Sequence, residues 1–131
     1  MKGFPPSVVM TMSGFDPASV GAEFGLADLD RVPVRRAPGW MVRAWGDRAA
    51  AMTLPWAIYV KPGVLAGDRQ VLGGLVRHEL VHVRQWHQLG VTRFLLRYFT
   101  DYVRARRAGL GHQKAYLAIS LEEEARRLSG H

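Results

Sequence analysis

The stretch from Arg69 to Leu89 constrains the fold of this chain more than any other. Gly67-Asp68 offers a cap before it and Gly90 a stop after it. Between them Val71, Leu75, His78, His82, Gln85 and Leu89 recur at intervals of 4, 3, 4, 3 and 4. That is the spacing of one helix face, so both histidines project from the same side.

The flanking sequence supplies what such a helix must pack against. A second helical run, Thr92 to Arg107, sets Phe94, Leu95, Tyr98, Phe99 and Tyr102 along a stripe expected to be buried, with arginines opposite, and Gly109 and Gly111 end it. A third helix is expected from about Gln113, carrying Leu117, Leu121, Ala125 and Leu128. Upstream, WMVRAW (Trp40 to Trp45) reads as a strand and Gly46-Asp47 as a turn, with a second strand ending in TLPWAIYV (residues 53–60). Pro55 has no N–H for ladder pairing, which suits an edge strand or a bulge. Residues 1–30 hold Pro5, Pro6, Gly14, Pro17, Gly21 and Gly25 without a sustained period and read as an irregular arm with at most a short helix. At 131 residues, 48% of them hydrophobic, the chain can build one core and excludes the disordered class. The expectation is a single α+β domain over residues 1–131: a small antiparallel sheet packed on the histidine-bearing helix, with two further C-terminal helices.

The chemistry sits in His78-Glu79-Leu80-Val81-His82, an H-E-x-x-H string. Four residues of separation bring two imidazoles to one side of a helix, where they can share a tetrahedral zinc ion. The glutamate between them borders the same site and can act as general base toward a zinc-activated water. The chain has no cysteine, so any metal must be held by nitrogen and oxygen. A catalytic zinc also needs a third protein ligand. His87, five positions past His82, is rotated off the ligand face. The arrangement with a third histidine six positions past the second is absent, because that position is Gln88. There remain His112, His131, Asp101 and the acidic run Glu122, Glu123 and Glu124. Tyr116 and His112, just upstream of that run, are the candidates for stabilising an oxyanion.

RHELVHVRQ (77–85), the aromatic, arginine-rich helix after it, and AYLAISLEEEA (115–125) together resemble the minigluzincins, compact relatives of the gluzincin metallopeptidases. The resemblance covers about the last 75 residues well and the N-terminal part loosely. It implies a compact zincin fold, zinc-dependent peptide hydrolysis with Glu79 as base, and Glu122 as third ligand beside His78 and His82, with Ala125 at the fourth position of the glutamate segment. Helical phasing keeps Glu124 as the alternative, since it falls in line with Leu117, Leu121 and Leu128. One departure is Arg126, which stands where the family often has an acidic residue orienting a ligand histidine. The residues around the metal must therefore be organised differently.

The formal charge of +7 leaves a basic contact with a membrane surface or nucleic acid as an alternative function, carried by Arg93, Arg97, Arg104, Arg106 and Arg107. A second alternative is a zincin fold that binds without turning anything over. On the leading reading the partner is a peptide, which an edge strand could hold by main-chain pairing, or the chain's own residues 1–30; nucleic acid is not expected and peripheral membrane contact is the weaker option. Without an apolar run of secretory or membrane-spanning length, the expected location is cytoplasmic.

Overall fold

The computed structural model describes residues 3–46 and 49–130. Its elements, in chain order, are α1 (Pro6–Met12), α2 (Pro17–Phe24), a 3₁₀ turn (Leu29–Arg31), β1 (Val34–Arg36), α3 (Gly39–Trp45), β2 (Ala51–Leu54), β3 (Ala57–Val60), α4 (Pro62–Leu65), α5 (Arg69–Arg107), α6 (His112–Leu117) and α7 (Ser120–Ser129). The α+β class holds, while several elements differ from the sequence reading.

WMVRAW is a helix, not a strand. Met41 and Trp45, one turn apart, are the buried pair, and they pack with Ala37 against Tyr59. The 3.6-residue period therefore outweighed the strand propensity of the tryptophans and valine. Gly46 closes α3 with φ 56°; Asp47, its expected partner in a turn, lies outside the described residues. TLPWAIYV is not one strand either. Pro55 and Trp56 form the turn of a tight hairpin in which Leu54 pairs with Ala57 and Ala51 with Val60. The missing N–H of Pro55 is thus accommodated in the turn.

The sheet is mixed and not antiparallel, with strand order β1-β3-β2 and β1 running parallel to the central β3. Its two edges differ. Phe4 bridges to Val34 and covers the outer side of β1, whereas the outer side of β2 carries no strand among the described residues.

Residues 3–30, expected to be irregular, fold largely into α1 and α2, each opened by a proline in its first turn, where the missing N–H costs nothing. Met10, Val20 and Phe24 enter the main core beside Val34, Ile58, Val60, Val76, Leu80 and Val81. At Gly73 an added Cβ would lie 2.3 Å from Ser13 Cβ, so a glycine inside α5 is what lets the end of α1 approach. Arg77 ties three helices together: it donates to both carboxylate oxygens of Glu23 at 2.7 and 2.8 Å and to the Ser129 carbonyl at 3.2 Å.

α5 is two helical arms, residues 69–89 and 91–107, joined at Gly90, whose φ of 76° and ψ of 167° are open to almost no other residue. Asp68 caps the first arm by accepting from the Gln70 and Val71 amides. Across the bend, Trp86 of the first arm stacks on Phe94 of the second at 3.7 Å between ring centroids. The expected third helix is also two, α6 and α7, interrupted at Ala118 and Ile119. Asp101 on the second arm accepts from the Ser120 amide at 3.1 Å, fixing the start of α7 and with it the position of the acidic run.

Candidate metal centre and cleft

The first arm of α5 presents His78, Glu79 and His82, and α7 brings Glu122 to them. Glu122 Oε1 lies 3.3 Å from His78 Nε2 and 3.0 Å from His82 Nε2. The three side chains offer ligand atoms within 4.8 Å of one another. Tetrahedral zinc with metal–ligand bonds of about 2.0–2.2 Å separates its ligand atoms by roughly 3.3 Å, so the spacing already seen needs little adjustment to hold an ion. Charge points the same way. Glu79 and Glu122 are both 5% exposed, and two buried carboxylates call for compensating positive charge.

Without an ion, His82 provides part of that charge. Burial pulls its pKa down, but the Glu122 carboxylate beside it and the nearby Glu79 outweigh this and raise it to about 9. Burial likewise pushes Glu122 up, and its hydrogen bonds to His78 and His82 reverse that, holding it well below the usual carboxylate range. The protein thus keeps a carboxylate at this point whether a proton or a metal faces it.

His82 is oriented by Gln85. The Gln85 amide nitrogen donates to the Leu121 carbonyl at 2.9 Å and to Glu124 at 3.1 Å, which leaves its oxygen, 2.7 Å from His82 Nδ1, as the acceptor. Nδ1 therefore carries hydrogen, and Nε2 is the nitrogen aimed at the site. Arg126, four positions past Glu122, donates instead to the Leu117 carbonyl. Gln85 was visible in the sequence on the histidine face, but nothing there marked it as the orienting group.

Glu79 faces β2. The Thr53 hydroxyl donates to Glu79 Oε2, and Trp86 Nε1 donates to the Thr53 carbonyl at 3.0 Å, which ties the edge strand to the helix. Thr53 is a site residue that sequence reasoning missed; as the lone hydroxyl in AMTL it became a signal only once the hairpin was split at Pro55. Tyr98 was missed as well, having been assigned to a packing stripe. Its hydroxyl donates to Glu122 Oε2 at 3.2 Å. Tyr116 lines the same cleft as Glu79, His82 and Glu122. Burial first, and the Glu122 charge after it, raise the pKa of both phenols, so both remain hydrogen-bond donors.

The other candidates stand apart. Glu124 is engaged by Gln85, and Glu123 is exposed. Asp101 serves the start of α7, while His112 pairs with Tyr102 at 2.7 Å on the surface, so neither contributes to the group. His87 is exposed, as expected from its rotation, and His131 lies outside the described residues.

The cleft encloses about 210 Å³. Ala51, Met52, Thr53 and Leu54 form one wall, and Trp86, Phe94, Leu95 and Phe99 are among the apolar residues around the charged end. Residues 3–30 do not line it. No protein-family model, curated protein or solved structure matches this chain. What the site can do is read from its own geometry.

Proposed function

We propose that this chain is a zinc metallopeptidase of minigluzincin type, with His78, His82 and Glu122 as metal ligands and Glu79 as general base. One observation carries the reading. A single carboxylate oxygen stands between two imidazole Nε2 atoms at the wall of a cleft that Glu79 and the open edge of β2 also border. Two histidines and a glutamate form a donor set of catalytic zinc sites, with room for one further ligand. When bound, the ion supplies Lewis acidity toward a water and a substrate carbonyl.

The remaining work falls to the chain's own groups. The Thr53 hydroxyl occupies Glu79 Oε2 and orients the carboxylate, leaving Oε1 to take a proton from water and deliver it to the departing amine. Tyr116, protonated and within the cleft, is a donor for the oxygen on which charge develops. Tyr98 is a positioning residue, holding the far oxygen of Glu122. An extended peptide can lie along the outer side of β2, beside the Thr53 carbonyl that Trp86 holds, its side chains meeting the apolar wall.

Elemental analysis of the purified protein beside Glu122→Ala and Glu124→Ala tests the ligand set. Near-stoichiometric zinc that only Glu122→Ala loses is expected. Hydrolysis of a fluorogenic peptide library should then fall about 10²- to 10⁴-fold in Glu79→Gln with zinc retained. Wild-type protein that takes up no zinc ends the proposal, and full activity in Glu79→Gln ends the assignment of the base. Stoichiometric zinc with no turnover of any peptide would make the chain a binding module.

A further inference from the structure

We propose that the second arm of α5 docks this protein onto an anionic lipid surface, an inference that does not depend on the catalytic reading. Residues advance about 100° around a helix axis. On that count Phe94, Tyr98, Tyr102 and Ala105 share the inward face, in keeping with their burial. Leu95, Phe99, Val103 and Leu96 fall on the adjoining arc, and they are exposed, Leu96 to 67% and Phe99 to 59%. Beyond them lie Arg93, Arg97, Arg104 and Arg107, so a band of guanidinium groups runs beside a band of aliphatic and aromatic side chains, with Arg106 entering the apolar arc at the C-terminal end of the arm. Over residues 91–107 the arm has five arginines against the single acidic residue Asp101, which is committed to Ser120.

Contiguous exposed apolar residues on one helix mark an interaction surface. The charge beside them narrows the occupant. A second copy of this chain, itself at +7, would bring two arginine bands together. Nucleic acid would satisfy the arginines but gain nothing from Leu95, Leu96 and Val103, which offer no ring for base stacking. A leaflet rich in acidic headgroups satisfies both bands at once: apolar side chains enter the acyl boundary while arginines reach up to the phosphates. No helix among the described residues is long and apolar enough to cross a membrane, so the contact lies along the surface. Leu95 and Phe99 also line the cleft, and Met52 on its opposite wall is 39% exposed. A docked molecule would therefore hold the mouth of the cleft close to the lipid.

Co-sedimentation of the full chain with phosphatidylcholine vesicles, with and without phosphatidylserine, at low and high salt, tests this. The expected result is binding that requires phosphatidylserine, weakens with salt, and falls at least ten-fold in Leu96→Glu and in Phe99→Glu. Arg104→Gln and Arg107→Gln should each weaken it about five-fold. Because all four side chains are exposed, unchanged circular dichroism is expected and separates loss of docking from loss of fold. Three outcomes overturn the proposal: no binding to phosphatidylserine vesicles; binding that both glutamate variants retain; or a dimer by light scattering that those same variants dissolve, which would assign the surface to a second copy.

Discussion

The two arms of α5 are continuous in sequence and opposite in character. The first, residues 69–89, is packed by α1, α2 and α7 and has Val76, Leu80 and Val81 fully buried beside its buried site residues. The second, residues 91–107, is covered on one side by α6 and α7 and leaves a broad apolar arc to solvent. Both carry apolar residues at helical spacing. The contrast shows that periodicity says which side chains share a face, while the number of neighbouring elements decides whether that face is buried.

That contrast can be broken or sharpened by substitution. The largest effect is expected at His82, in the buried arm. In metal-free protein His82→Ala removes one partner of the buried Glu122 carboxylate, and with His78 still beside it the loss should be about 3 kcal/mol of unfolding free energy, the low end for such a pair. Urea titration of chelated protein measures it, and a loss below half that would mean the first arm is less committed than its burial implies. Next comes the joint. Gly90→Ala meets no atom within 4 Å, so its entire cost is the backbone conformation, about 1–3 kcal/mol, read in the same titration. An unchanged midpoint would show that the two arms can straighten into one helix without penalty.

A smaller effect is expected at Tyr98, where the second arm reaches the metal centre. Tyr98→Phe should weaken zinc binding about ten-fold in a competition titration, with less than about 1 kcal/mol lost in the metal-free protein. Affinity equal to wild type would show that the Tyr98 hydroxyl does not position Glu122. The smallest effect is expected for Leu96→Ser, within about 0.5 kcal/mol in the same urea assay, as for any surface position away from packing. A cost of several kcal/mol there would mean that the arc is covered in solution, and the comparison between the arms would fail.

The sequence was most legible where one local rule decided the outcome. Asp68 and Gly90 bounded the first arm correctly because capping and a positive-φ stop act within a few residues. His78, Glu79 and His82 were legible for a similar reason, since helix geometry alone puts them on one side. Glu122 was reached only through resemblance: the choice over Glu124 depends on where α7 starts, and that is set by Asp101, 19 positions before Ser120. The uninterrupted third helix failed at Ile119, whose burial against Trp86 and Phe94 depends on tertiary packing and not on local propensity. WMVRAW failed because a six-residue segment with five apolar residues fits a strand or a helix until its neighbours are known. Thr53 and Gln85 were out of reach, as each acts through a partner that the fold alone brings near.

The unequal edges of the small sheet have a consequence for how this protein behaves at high concentration. Phe4 bridges Val34 on one border, while a chain that joins the other, next to β2, does so beside Glu79 and its neighbours. Two copies that paired β2 to β2 would use up both of these borders, so this edge closes a pair and does not by itself build a fibre. The border that has room for a visiting strand is therefore also the one through which two copies would meet.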